Sequence, residues 1–144
     1  MAAGTWQIYD EGLEDILDGT VDLDTDTMVV KLCTSTYSPT DADTAITNEV
    51  ANGNGYTTGG VTVTVTVANS SGTTTVDITS PDPIRWTASG GSITAKYAIL
   101  MKSGATQPIA YCDLNSGGGS ETASDGNNFD ITINASGVFT FAQA

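Results

Sequence analysis

The chain has 144 residues, which suits one domain and leaves too little for two cores and a linker. Seventeen acidic residues stand against four basic ones, a formal net charge of -13, so nucleic-acid backbones and anionic membranes are poor partners: binding them takes lysine and arginine. There is no histidine, which removes the serine–histidine and cysteine–histidine nucleophiles, imidazole metal ligands and the usual base near neutral pH, and points away from an enzyme.

The start, Met1 to Trp6, has no basic region and no apolar stretch of signal-peptide length. No apolar run elsewhere approaches the roughly 20 residues of a membrane span, and a soluble chain made in the cytosol is expected. Residues 1–9 are expected to form an N-terminal arm, followed by one β-sandwich domain over 10–144. The segment Asp10 to Gly19 carries the one good helical pattern: Asp10 can cap, acids crowd the first turn, Leu13, Ile16 and Leu17 share a face, and Gly19 can close the end.

Beyond the helix, the abundance of threonine and valine and the recurring turn clusters predict β structure. Met28 to Cys33 reads as a strand. Val61 to Val67 alternates strictly, placing four valines on a buried face and three threonines on a wet one. Further strands are expected at 73–79, 84–88, 93–101, 108–114, 129–133 and 138–141. In the third of these, Ile93, Ala95, Tyr97, Ile99 and Met101 should point inward, packing with the valines, and Thr94, Lys96 and the following Lys102 outward. About eight strands without intervening helices predict an all-β fold, an antiparallel β-sandwich or jelly roll with one short N-terminal helix. Two long loops, from Ser38 to Gly60 and from Asn115 to Asn128, are expected to be mobile or to contact a partner.

Cys33 and Cys112, each inside an apolar run, are expected to be reduced thiols packed as small hydrophobes, with a disulfide as the alternative. Asp22, Asp24 and Asp26 place carboxylates at alternate positions, but an EF-hand counted from Asp22 would need glycine and an acid where Thr27 and Cys33 stand. No metal or other cofactor is expected. The glycine-rich stretch from Gly53 to Gly60 precedes a strand and holds no lysine, so it is not a phosphate loop. A pair of carboxylates can hydrolyse glycosides, yet Trp6, Trp86 and the tyrosines are scattered within strand patterns, as core residues are.

The ordered pieces Gly19 to Leu32, Tyr37-Ser38-Pro39, Asn48-Glu49-Val50 and Gly53 to Gly60 resemble a group of small virion structural proteins of tailed bacteriophages. Asp82 to Thr87, Ala95 to Leu100, Pro108 to Tyr111 and Phe129 to Asn134 follow in the same order. The resemblance implies a β-sandwich that decorates or cements a capsid shell, or sits at the tail, with no catalytic motif. It implies a virion protein assembled in the bacterial cytoplasm, with the major capsid protein or another virion protein as partner. A homo-oligomer, a trimer foremost, would bury edge strands. Tail or host-adhesion components and a carbohydrate-binding module are the alternatives. Trp6, Ile8, Tyr9 and Tyr56 are the residues expected to contact the partner, since aromatic and aliphatic groups near a terminus suit an interface.

Overall fold

The computed structural model describes residues 4–143. In chain order the elements are β1 (Trp6–Ile8), α1 (Asp10–Asp18), β2 (Met28–Cys33), β3 (Val61–Ser70), β4 (Thr73–Ser80), β5 (Ile84–Thr87), β6 (Ile93–Ala95), β7 (Tyr97–Lys102), β8 (Pro108–Asp113), β9 (Glu121–Ala123), β10 (Asn128–Ile131) and β11 (Phe139–Ala142). The fold is all-β and every strand pair is antiparallel. Seven strands form one sheet in the order β1-β8-β7-β2-β3-β4-β11, and two ribbons, β5-β10 and β6-β9, lie apart from it.

The main core fills the space between the sheet and the ribbons. Met28, Val30 and Leu32 of β2 and Ala98 and Leu100 of β7 meet Ile84 and Trp86 of β5, Ile93 of β6 and Phe129 and Ile131 of β10 there. The alternate residues of the same strands, Val29, Cys33, Ile99 and Met101, form a second cluster on the opposite face with Tyr9, Tyr37 and Tyr111. The central strands are thus buried on both sides, which explains the unbroken apolar sequences of β2 and β7.

Three expectations change as a result. The run from Ile93 to Met101 is two strands, because Lys96 interrupts it: its amide donates to the Cys33 carbonyl, and its carbonyl accepts from Leu114 N. Lys96 itself is buried, not outward. Val63 and Val65 share the main core with Ile93, whereas Ile99 and Tyr97 belong to the other face.

β3 changes partner along its length. Val61 to Val63 pair with β2 and Thr64 to Ser70 with β4, the β4 ladder shifting register between Thr64 and Val65. Only Val63 and Val65 of its four valines are buried, since Val61 is half-buried and Val67 lies outside at 41% exposure. The β3–β4 hairpin closes on Ser71 and Gly72, both at positive φ (51° and 79°), the arrangement that matches the twist of the flanking strands.

The two long loops are pinned. Where β3 leaves β2, residues 48–60 take over that edge: Val50 N donates to Leu32 O, and Gly60 lies so close to the Val30 carbonyl that any Cβ would collide with it. The second loop contains β9, paired with β6 through an in-register Thr94–Thr122 hydroxyl pair at 2.9 Å.

Candidate functional site

The four residues expected to contact a partner are placed first. Trp6 lies in β1, paired with β8 opposite Cys112, and its side chain is in the main core at 6% exposure. Ile8 is half-buried in the same strand. Tyr9 is fully buried in the second cluster, and Tyr56 is 2% exposed with its ring 6.0 Å from that of Trp86. Residues 4–9 therefore belong to the domain and are not a free arm; residues 1–3 of the expected arm lie outside the described residues. Burial of three large apolar rings outweighs leaving them in water for a partner.

The polar chemistry of the chain is directed inward. Tyr56 Oη donates to Glu49 Oε1 (2.8 Å) and accepts from Leu32 N (3.1 Å), while Gly59 N donates to the same Glu49 oxygen at 2.6 Å. On the other face, the Tyr9 and Tyr37 hydroxyls are 2.9 Å apart, Tyr37 donates to Asp43 Oδ2 (3.0 Å), and Thr40 holds Asp43 through its amide and hydroxyl. Tyr111 donates to Gln7 and Asp41. Burial, with the nearby carboxylates of Asp43, Glu49 and Asp41 adding to it, raises the phenol pKa of Tyr9, Tyr37, Tyr56 and Tyr111 against the opposing bonds from Tyr9 to Tyr37 and from the Leu32 amide to Tyr56. Burial likewise pushes the Cys33 and Cys112 thiols up to about 12, far from the thiolate a nucleophile needs. The two cysteines are free and face opposite sides of the sheet, so the disulfide alternative is set aside.

All four basic side chains are in ion pairs: Lys31 with Glu49, Arg85 with Asp130, Lys96 with Asp113 and Lys102 with Asp26. The Arg85 pair is bidentate and joins facing residues of β5 and β10. Asp22 to Asp26 form a turn in which Asp22 N donates to Asp26 Oδ2 and Asp26 N to Asp22 O. A hydrogen bond from Lys102 lowers the pKa of Asp26, and a bond shared with Asp22 raises that of Asp24. Among the described residues no group of three or more cysteine or acidic side chains is arranged to hold a metal ion.

The open feature is a groove of about 640 Å³ between the end of α1, residues 19–24 and the β3-β4-β11 end of the sheet. Leu17, Val67 and Phe141 line it, with Asp22 and Asp24 at its rim. The helix is seated tightly: a Cβ on Gly12 would lie 2.8 Å from Ile109 Cα. Its N-cap is Tyr9, whose side chain makes no capping bond, and Asp10 sits in the first turn with its amide on the Asp41 carbonyl. This seating turns Gly12 inward and leaves Leu17 75% exposed, where the apolar spacing predicts a buried face. Leu17 and Val67 are the two exposed large hydrophobic residues among those described, and both line this groove. Sequence reasoning missed both because their periodicity is that of core residues.

A second cleft, of about 420 Å³, separates β1 from β11, so the seven-stranded sheet curls until its two edges flank one opening. No described helix is long and apolar enough to cross a membrane. No family model, curated protein or solved structure matches the chain.

Proposed function

We propose that this protein is a structural, protein-binding component of a tailed-phage virion, a decoration or cement protein that stabilises the head shell by contacts with the major capsid protein. One observation carries the binding role: the two exposed large hydrophobic side chains, far apart in sequence, meet in a single groove. The burial of the phenols and thiols and the pairing of the cations within the chain support a scaffold, and the ordered resemblance of the sequence to small virion proteins supports the setting. Burial of both tryptophans weighs against the carbohydrate-binding alternative, which needs exposed aromatic faces. The open edges β1 and β11 are the surfaces on which the proposed trimer would close.

Peptide mapping of purified virions tests this reading. A decoration protein should be found in the copy number of a shell subunit, and its Leu17→Ser/Val67→Thr variant should be incorporated poorly while remaining folded. A few copies per particle would favour the tail alternative, and absence from particles would overturn the virion reading.

A further inference from the structure

Resting on the reading of the groove as a docking site, we infer that its occupant is a segment of another protein that presents apolar side chains flanked by lysine or arginine. The floor needs an apolar anchor, because Leu17 and Val67 stand in water otherwise. The rim needs positive charge. No lysine or arginine lines the groove, and Asp22 and Asp24 do.

The apolar path also continues past Leu17 along α1 to Leu13, bordered there by Asp10, Glu14 and Asp18. No basic residue stands in the last turn of that helix. Lys102, which reaches the turn, is already engaged by Asp26 and by the Thr20 carbonyl. With all four lysine and arginine side chains paired elsewhere, none among the described residues is in ion-pair contact with Asp22 or Asp24 at this rim. A second copy seated here through the same face would bring its own acidic rim to within a Debye length of this one, about 8–10 Å at ordinary salt. Complementarity therefore selects a basic, amphipathic segment over self-association.

The test uses two synthetic amphipathic peptides with the same leucine face, one carrying lysine and the other glutamate on its polar face. Each is titrated into the isotopically labelled full-length protein while backbone amide shifts are recorded. The lysine peptide should bind at least about tenfold more tightly than the glutamate peptide, with shifts gathered at Ile16 to Asp24, Val67, Thr74 to Val76 and Phe141. The Leu17→Ser/Val67→Thr variant should weaken it by about tenfold, and so should Asp22→Asn/Asp24→Asn, whose amides keep the turn's hydrogen bonding. A circular dichroism spectrum matching that of the parent establishes that each variant is folded.

Equal binding of both peptides, shifts spread over acidic surface away from the groove, or binding unchanged by the Leu17→Ser/Val67→Thr pair would each overturn the inference. So would sedimentation showing a dimer that this pair dissolves, since the groove would then belong to a second copy. Absence of the chain from virions would overturn the setting alone, whereas lost peptide selectivity in a chain found in virions would overturn the partner chemistry alone.

Discussion

The two faces of the seven-stranded sheet are held by different forces. The face under the ribbons is closed almost wholly by aliphatic and aromatic burial, with Leu32, Leu100, Ile84 and Phe129 at or near zero exposure. On the other face, a small cluster is roofed by residues 34–48; Tyr37 reaches Asp43, Tyr111 reaches Gln7 and Asp41, and Tyr9 bonds Tyr37. The first arrangement is non-directional and gains stability with area; the second positions a long irregular segment through a few aimed hydrogen bonds. A threonine-rich chain with a limited supply of large hydrophobes can cover one face by packing and must fasten the other.

The largest effect should come from breaking the packed face. Val63→Asp places an unpaired charge in the main core and should cost about 4 kcal/mol or more, enough to unfold much of the population, as read by urea denaturation. Leu100→Ala at the centre of the same face should cost about 2–5 kcal/mol by the same measurement. On the fastened face, Tyr37→Phe removes the bonds to Tyr9 and Asp43 and should cost about 1–2 kcal/mol. Amide exchange should there quicken in residues 34–48 and remain slow in β2 and β7. Uniform acceleration across the sheet would erase the distinction between the faces.

Alkaline pH sharpens the same contrast. Burial raises the pKa of Tyr9, Tyr37 and Tyr111 in the folded state, so the folded chain keeps protons that the unfolded chain releases. The stability they contribute is fully present below the ordinary phenol value of about 10 and is lost as pH rises above it. Phenolate absorbance should appear together with opening of the 34–48 segment, ahead of loss of the sheet. Asp43 works in the other direction and more weakly: burial opposes its ionisation, but bonds from Thr40 and Tyr37 hold its pKa below the ordinary value. Its contribution is present above an unfolded value of about 3.9 and fades as pH falls through the lower folded value, detectable as faster exchange at Thr40 in acid. The smallest effect belongs to Thr64→Asp, beside Val63 but on the wet side of the strand, which should stay within about 0.5 kcal/mol.

The packed face was the legible one. β2, β4 and β8 carry dense or alternating apolar patterns, and their positions follow from period alone. β1 and β9 span three residues each, too short for any period to show, and β9 lies in what reads as a loop. Lys96 splits one apparent strand in two because its main chain bonds Cys33 and Leu114, a tertiary requirement with no local signal. The groove was illegible for the opposite reason. Leu17 and Val67 continue apolar patterns faithfully, and only the close seating of Gly12 on β8 and the length of β3 beyond the core leave them outside. Tyr9 and Tyr56 read as interface residues because sequence gives their chemistry but not the partners, Tyr37 and Glu49, that draw them inward.

The placement of the two cysteines gives the molecule a pair of internal clocks. Cys33 looks into the tyrosine-roofed cluster and Cys112 into the main core, and neither is accessible while the chain is closed. A thiol reagent added to the native protein can therefore react only at the rate at which each side opens. If the roof swings away independently, Cys33 is consumed first, and a singly labelled species accumulates before Cys112 reacts. If the sheet must come apart to expose either thiol, both disappear together. One mass spectrum taken over time thus reads whether the domain breathes through its fastened side or unfolds as a whole.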